Sequence, residues 1–255
     1  MSDVINIVIP MAGAGSRFSK AGYADPKPLI RVHDVPMIKL VIDNLRPSSP
    51  HRFIFICQAE HVASYGLTPL LEEWAPGCKI IELNGLTEGA ACTVLAAKDL
   101  IDTNAPLMIA NSDQYIDASI EDYLAEISEN NLDGLIMTMK ANDPKWSFVG
   151  LNSCNFVTNV VEKEVISDEA TVGIYNFARG HDFVRAAESM ISKDLRVNNE
   201  FYVAPVYNQL IEEGQKIGIH NIGSESAGMY GIGIPADLNL FLTLPVSYKA
   251  AGVKK

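Results

Sequence analysis

An apolar run that breaks directly into a glycine-rich turn constrains this chain more than any other stretch. Residues 4–11 lead without a gap into Ala12-Gly13-Ala14-Gly15-Ser16-Arg17, and Pro26-Lys27-Pro28 follows. The run is rich in β-branched residues and too short for a helix of its own, which predicts a buried strand. Gly13 and Gly15 remove side chains where a backbone could approach a phosphate, and successive N–H groups of such a turn can form an anion-binding nest. Arg17 and Lys27 add two cations. A dinucleotide fingerprint would need a third glycine where Phe18 stands, and a P-loop would need Lys followed by Ser or Thr after its last glycine. Neither is present, so the loop reads as phosphate-binding of another kind.

Downstream, short apolar strands alternate with helical spacings. Residues 36–45 place Met37, Leu40, Val41 and Leu45 at helical intervals behind an N-terminal proline. Strands are expected at 53–57, 79–83, 106–110 and 134–139, with helices over about 60–74, from residue 89 to about 101, and over 119–129. This alternation predicts a mostly parallel sheet covered by helices on both faces. Further strands are expected at 156–161, 172–177, 216–221 and 229–232. Helices are expected at 182–191, 206–213 and 235–242, and a turn-rich stretch at 223–228. Ligands on such sheets sit at the carboxyl ends of the strands. There Asp113 follows a strand and is placed to hold a divalent cation against phosphates, the alternative being an Asx turn. Small residues at 89–91 would let a flat base lie against a helix start, which they could equally serve by packing. Trp146 beside Ser147 suits an acceptor site, although a loop Trp packed on the core is the commoner case.

The segment Gly13-Ala14-Gly15-Ser16-Arg17 with Pro26-Lys27-Pro28 resembles the signature of the sugar-phosphate nucleotidyltransferases, or nucleotide-sugar pyrophosphorylases. That pattern is G-x-G-[ST]-R with a lysine ten residues beyond the arginine. The resemblance implies a single-domain Rossmann-like nucleotidyltransferase fold of GT-A type, acting in surface-polysaccharide synthesis. It implies an NTP and a phosphorylated small-molecule acceptor as partners and Mg²⁺ as cofactor. Ala12, Gly13, Ala14, Gly15 and Ser16 would bind the nucleotide together with Asn84, Glu88, Gly89 and Asn111. Asn84 holds the place of a base-reading amide five residues before a glycine. Arg17, Lys27 and Asp113 would be catalytic, with Asp113 the metal ligand of a G-D-[NQ]-type motif. Trp146, Glu162, Lys163 and Glu200 would form the acceptor site: Glu162-Lys163 precedes Gly173-Ile174-Tyr175-Asn176-Phe177 as a Glu-Lys pair precedes Gly-[IL]-Tyr-x-Phe in the family. The pattern departs at residue 231, where a second metal-binding aspartate is usual and this chain has Gly231. The resemblance runs from about residue 5 to 242 and implies the catalytic domain without the family's additional C-terminal domain.

The chain has 255 residues, 48% hydrophobic and 20% charged, enough to bury the core of one domain. Residues 1–115 would form its nucleotide half and 116–245 its acceptor half. A net charge of −11 argues against a nucleic-acid partner. Positive charge for the anionic substrates would have to be focused at Arg17, Lys27 and Lys163. No apolar run approaches a membrane span and no charged leader opens the chain, so a cytoplasmic protein without membrane contact is expected, homo-oligomers left open. Cys57, Cys78, Cys92 and Cys154 lack metal-ligand spacing and are expected as free thiols. Three other activities stay open: a cytidylyltransferase for a small phosphate such as phosphocholine, a glycosyltransferase of related fold, and a non-catalytic nucleotide-binding regulator.

Overall fold

The strands of the computed structural model, which describes residues 4–13 and 15–253, are β1 (Ile5–Met11), β2 (Arg31–Val32), β3 (Val35–Pro36), β4 (His51–Gln58), β5 (Lys79–Leu83), β6 (Leu107–Ala110), β7 (Gln114–Ile116), β8 (Gly134–Lys140), β9 (Ser147–Leu151), β10 (Val157–Glu162), β11 (Glu169–Phe177), β12 (Ile217–Glu225) and β13 (Gly228–Gly231). One sheet runs in the order β5-β4-β1-β6-β11-β8-β12-β13-β7. β11 and β7 run against the other seven strands of that path, so the central sheet is largely parallel. Strands buried on both faces read as continuous apolar runs, which is why β1, β4 and β6 carry so few polar residues. Successive side chains alternate between faces. Ile7, Ile9, Phe53 and Phe55 join one apolar cluster, while Val8, Ile54, Ile56 and Ile109 join another.

Helices cover both faces. Helix Met37–Leu45 sets Ile38, Val41, Ile42 and Leu45 into the first cluster, and helix Gly180–Ser192 sets Phe183, Val184, Ala187 and Met190 into the second. Each of these fully buried side chains larger than alanine stabilises the fold by roughly 1.5–3 kcal/mol. Among the described residues, no helix is long and apolar enough to cross a membrane.

The structure redraws several expected elements. The helix over 60–74 is two, Ala59–Tyr65 and Leu67–Trp74, because Gly66 between them adopts φ 59°. The stretch 89–101 likewise divides into Ala90–Leu95 and Lys98–Ile101. β7 and β9 were not expected from the sequence. β7 is three residues long and exists by pairing with β13, a tertiary contact that leaves no period in the sequence. β12 continues to Glu225, into the stretch expected as turns, and a further helix, Pro245–Ala250, follows the last one expected. β9 and β10 form a hairpin that joins the main sheet through one pairing, Ala170 with Phe148.

Candidate active site

Two cavities open side by side at the carboxyl ends of β1 and β6. The first, about 610 Å³, is walled by Gly13, Gly15, Ser16, Arg17 and Lys27 on one side and by Leu86, Thr87, Gly89 and Ala90 on the other. The second, about 570 Å³, is walled by Lys145, Trp146, Glu162, Lys163, Tyr175, Tyr202 and Asp237. Arg17, Ala90, Asn111 and Asp113 line both. The two spaces therefore meet over the loop that leaves β6.

On the first side, Lys27 sits in a short 3₁₀ turn, Lys27–Leu29, and its ammonium donates to Asp113 Oδ2. Both side chains are about three-quarters covered. The opposite wall is fixed from below. Phe201 N donates to Glu88 O at 2.8 Å, Ala91 N donates to Phe201 O at 2.9 Å, and Arg196 pairs with Glu88 at 2.5 Å. Gly89 lies flat on this stitching with φ 133°, and a Cβ there would stand 2.5 Å from both the N and the O of Phe201. Gly89→Ala is expected to cost about 2–3 kcal/mol, from backbone strain and a clash that no side-chain rotation relieves. Chemical denaturation is the measurement, and loss below about 0.5 kcal/mol would show that the wall moves freely.

On the second side, β11 is irregular between Thr171 and Tyr175, and Gly173 lies there with φ 80°. A Cβ at 173 would collide with the side-chain amide of Asn111, whose backbone N–H donates to Gly173 O at 3.0 Å; the glycine makes room for the Asn111 side chain. Lys163 ends β10 in a left-handed conformation, φ 58°, that non-glycine residues seldom hold. Its Nζ reaches Tyr202 Oη at 2.5 Å and stands 4.4 Å from the centre of that ring. Two hydroxyl contacts lie beneath: Thr171 Oγ1 and Tyr175 Oη stand 3.0 Å apart, and Ser147 donates to Glu162. Burial raises the Glu162 carboxyl above its ordinary range, partly offset by Ser147 and Lys163. Two buried donors, Gln114 Nε2 and Trp146 Nε1, have no hydrogen-bond partner.

The structure thus gathers most of the sequence candidates. Ala12, Gly13, Gly15, Ser16, Arg17, Lys27, Gly89, Asn111 and Asp113 line the first cavity, and Trp146, Glu162 and Lys163 line the second. Ala14 lies outside the described residues. Asn84 is exposed and Glu88 is engaged by Arg196; neither is among the lining residues. Glu200, expected on the acceptor side, lines the first cavity, while its charge acts on Glu162 and Lys163. It stands at the border of the two spaces.

The sequence pattern of the family described as Nucleotidyl transferase matches residues 7–218. The chain belongs to the nucleotidyl transferase family. Among solved structures, the nucleoside-diphosphate-sugar pyrophosphorylase of Vibrio cholerae RC9 is similar at 27% identity, with a TM-score of 0.79 over 93% of this chain and 100% of that one. The UDP-glucose pyrophosphorylase of Acinetobacter baumanii shares the fold at 15% identity, with a TM-score of 0.72 over 94% of this chain and 92% of the other. The inositol-1-phosphate CTP transferase of T. maritima shares it at 16% identity, with a TM-score of 0.76 over 100% and 99%. No curated protein matches the sequence.

Sequence reasoning about this nucleotidyltransferase missed Lys145, Gln114, Tyr202 and Asp237, which all line the second cavity. Asp237 Oδ2 lies 3.5 Å from the point a Cβ on Gly231 would occupy, an ordinary contact that sets its carboxylate beside the position where the family usually has an aspartate. Burial raises the Asp237 carboxyl, with Glu225 and Asp113 adding to the rise against Lys145 and Arg17. Among the described residues, no three His, Cys, Asp or Glu converge as a self-sufficient metal cage. The donor set instead suits a magnesium that takes one or two carboxylates and completes its shell with substrate oxygens and water. Asp113 already faces a cation, the ammonium of Lys27.

Proposed function

We propose that this nucleotidyltransferase joins an NTP to a sugar 1-phosphate in a Mg²⁺-dependent reaction that releases pyrophosphate. One observation carries the reading: a glycine- and cation-lined cavity and a hydrogen-bonding cavity meet at Arg17, Asn111 and Asp113. An α-phosphorus placed at that junction has the glycine loop on one side and the second cavity on the other. An oxygen of the acceptor phosphate forms the new bond to the α-phosphorus as the bond from it to the β-phosphate oxygen breaks. Pyrophosphate then departs toward the loop. Both reactants are polyanions, so the protein's work is positioning and charge neutralisation, without a side-chain nucleophile. Gly13, Gly15 and Arg17 would hold the β- and γ-phosphates, Lys27 the α-phosphate, and Lys163 the acceptor phosphate. Leu86, Gly89 and Ala90 offer a low wall for the base.

Asp113 would hold the metal, with Asp237 the nearest second carboxylate in charge terms, since its carboxyl senses Asp113 and Arg17. Bound there, Mg²⁺ supplies charge neutralisation on the phosphates. With Asp113 so engaged, the Lys27 ammonium would be free to pair with the α-phosphate.

The walls of the second cavity favour a hydroxyl-rich acceptor over a quaternary ammonium one. Gln114 and Trp146 line that cavity and carry buried donors, Nε2 and Nε1, without a protein partner; a turn of either side chain toward the cavity would offer its donor to a ligand oxygen, and leaving such a donor unpaired costs about 1–3 kcal/mol. The aromatic faces are taken: Lys145 Nζ stands 4.9 Å over Trp146 and Lys163 Nζ 4.4 Å over Tyr202. Those lysines would repel choline from the rings that could have bound it. The product, a nucleotide sugar, suits consumption by glycosyl transfer in polysaccharide synthesis.

Pyrophosphate release, screened with the common NTPs against sugar 1-phosphates and amino-alcohol phosphates, tests the reading. Release with sugar 1-phosphates supports it; release with phosphocholine alone replaces the acceptor class. A sharper expectation concerns Lys163→Ala, which should raise the acceptor KM by about 10- to 100-fold, the loss of one charge-assisted contact. Its NTP affinity, measured by calorimetry, should stay within about twofold of the wild type. An equal loss on both substrates would place Lys163 in the nucleotide site instead.

A further inference from the structure

Gln58 is absent from both cavity linings, yet it ties together the two loops that face each other across the first cavity. It is the last residue of β4, which lies between β1 and β5. β1 ends with Met11 opposite Cys57, and β5 ends with Leu83 opposite Gln58, so the glycine loop and the segment from Asn84 to Gly89 leave the sheet on either side of it. Beyond that point the backbone ladder stops, and the Gln58 amide continues it. Nε2 donates to Ala12 O at 2.6 Å and to Gly85 O at 3.0 Å, and Oε1 accepts from Gly85 N at 3.2 Å.

Ala12 opens the glycine loop, and Leu86 and Thr87, directly after Gly85, form the facing wall. The far end of that wall is stitched to Phe201 and Arg196, as described above. Its near end takes its distance from the glycine loop from the Gln58 side chain. The arrangement needs a primary amide of this length. Asparagine is one methylene shorter, and glutamate would offer no donor and would set a charge against the carbonyl oxygens of Ala12 and Gly85.

We infer that Gln58 is a positioning residue that fixes the width of the slot between the glycine loop and the 84–89 segment, and that through this width it sets which nucleobase the site accepts. The inference rests on the reading of the first cavity as the nucleotide site. A planar base held between two walls is sensitive to their separation, since displacements near one ångström cost orders of magnitude in a positioned site. Gln58 acts wholly through the backbone of the two walls.

The test is calorimetric titration of several NTPs into the full chain carrying Gln58→Met, which keeps size and removes the hydrogen bonds, and into Gln58→Glu. Melting temperatures and steady-state constants are measured alongside. In Gln58→Met, affinity for the preferred NTP should fall by about 10-fold, and its lead over the next-best NTP should shrink by about 5-fold. The acceptor KM should stay within about twofold and kcat at saturating NTP within about threefold. Gln58→Glu should be at least as impaired. A lowered melting temperature with an unchanged ratio between NTPs would overturn the inference and leave Gln58 a structural brace. Variants that bind every NTP as the wild type does would overturn it as well. A wild-type protein that binds no NTP would instead remove the nucleotide reading of the cavity, and this inference with it.

Discussion

Asp113→Asn should lower turnover by about 10³-fold or more while the protein folds normally. Asparagine keeps the shape of the side chain and removes its charge, so what is lost is the capacity to anchor a cation where the two cavities meet. Removing one preorganised electrostatic contact at a developing charge commonly costs 10²- to 10³-fold, and a metal anchor carries more than one such contact. Stability should hardly change, because the Lys27–Asp113 pair is partly solvated and such pairs contribute about 1 kcal/mol or less. Steady-state turnover at several Mg²⁺ concentrations, with a thermal melt as control, measures both effects. Because the Lys27 ammonium occupies Asp113 Oδ2, Mg²⁺ should bind weakly before nucleotide arrives. Full activity in the variant, or tight Mg²⁺ binding to the nucleotide-free wild type, would remove Asp113 from the role of anchor.

Arg17→Ala and Lys27→Ala should each slow turnover by about 10²- to 10³-fold, again at little cost to folding. The two should differ in kind. Arg17 is exposed and lines both cavities, so its loss should raise the NTP KM as well as lower kcat. Lys27 is held on Asp113 in the ligand-free site, and the contact proposed for it with the α-phosphate would be made as charge develops there, so its loss should fall mainly on kcat. Separate determination of kcat and of both KM values tells these apart, and unchanged turnover in either variant would end that residue's assignment.

What could be read from the sequence was what the chain encodes locally. β1 shows as an apolar run, the loop after it as glycines and cations at fixed spacing, and Asp113 as a carboxylate just past a strand. Much of the parallel half of the sheet was visible because β1, β6 and the middle of β4 are buried on both faces and therefore apolar, whereas the edge strand β5 is half-exposed and carries Lys79 and Glu82. The remainder depends on partners far away in sequence. Tyr202 matters because Lys163 reaches it, Gln58 because two loops converge on it, and Asp237 because the fold brings it beside Gly231 and within the charge of Asp113 and Arg17. β7 and β9 take their form from pairing, and no periodicity announces them, while β10, the hairpin partner of β9, falls on the strand expected at 156–161. Asn84 is the converse case: its place in a motif suggests a base contact, and the fold leaves it exposed and outside the lining of the first cavity.

The β9–β10 hairpin has a bearing on how a family of this kind diversifies. Trp146, Ser147, Glu162 and Lys163 sit on or beside it, and it meets the main sheet at the single pairing of Ala170 with Phe148. The glycine loop, Lys27 and Asp113 belong to other elements, anchored in the parallel half. An insertion or a run of substitutions in the hairpin would reshape the proposed acceptor wall without disturbing the ladder that carries the proposed phosphate-binding parts. Selection could thus exchange one acceptor for another in a lineage whose chemistry stayed constant, with the hairpin as the exchangeable part.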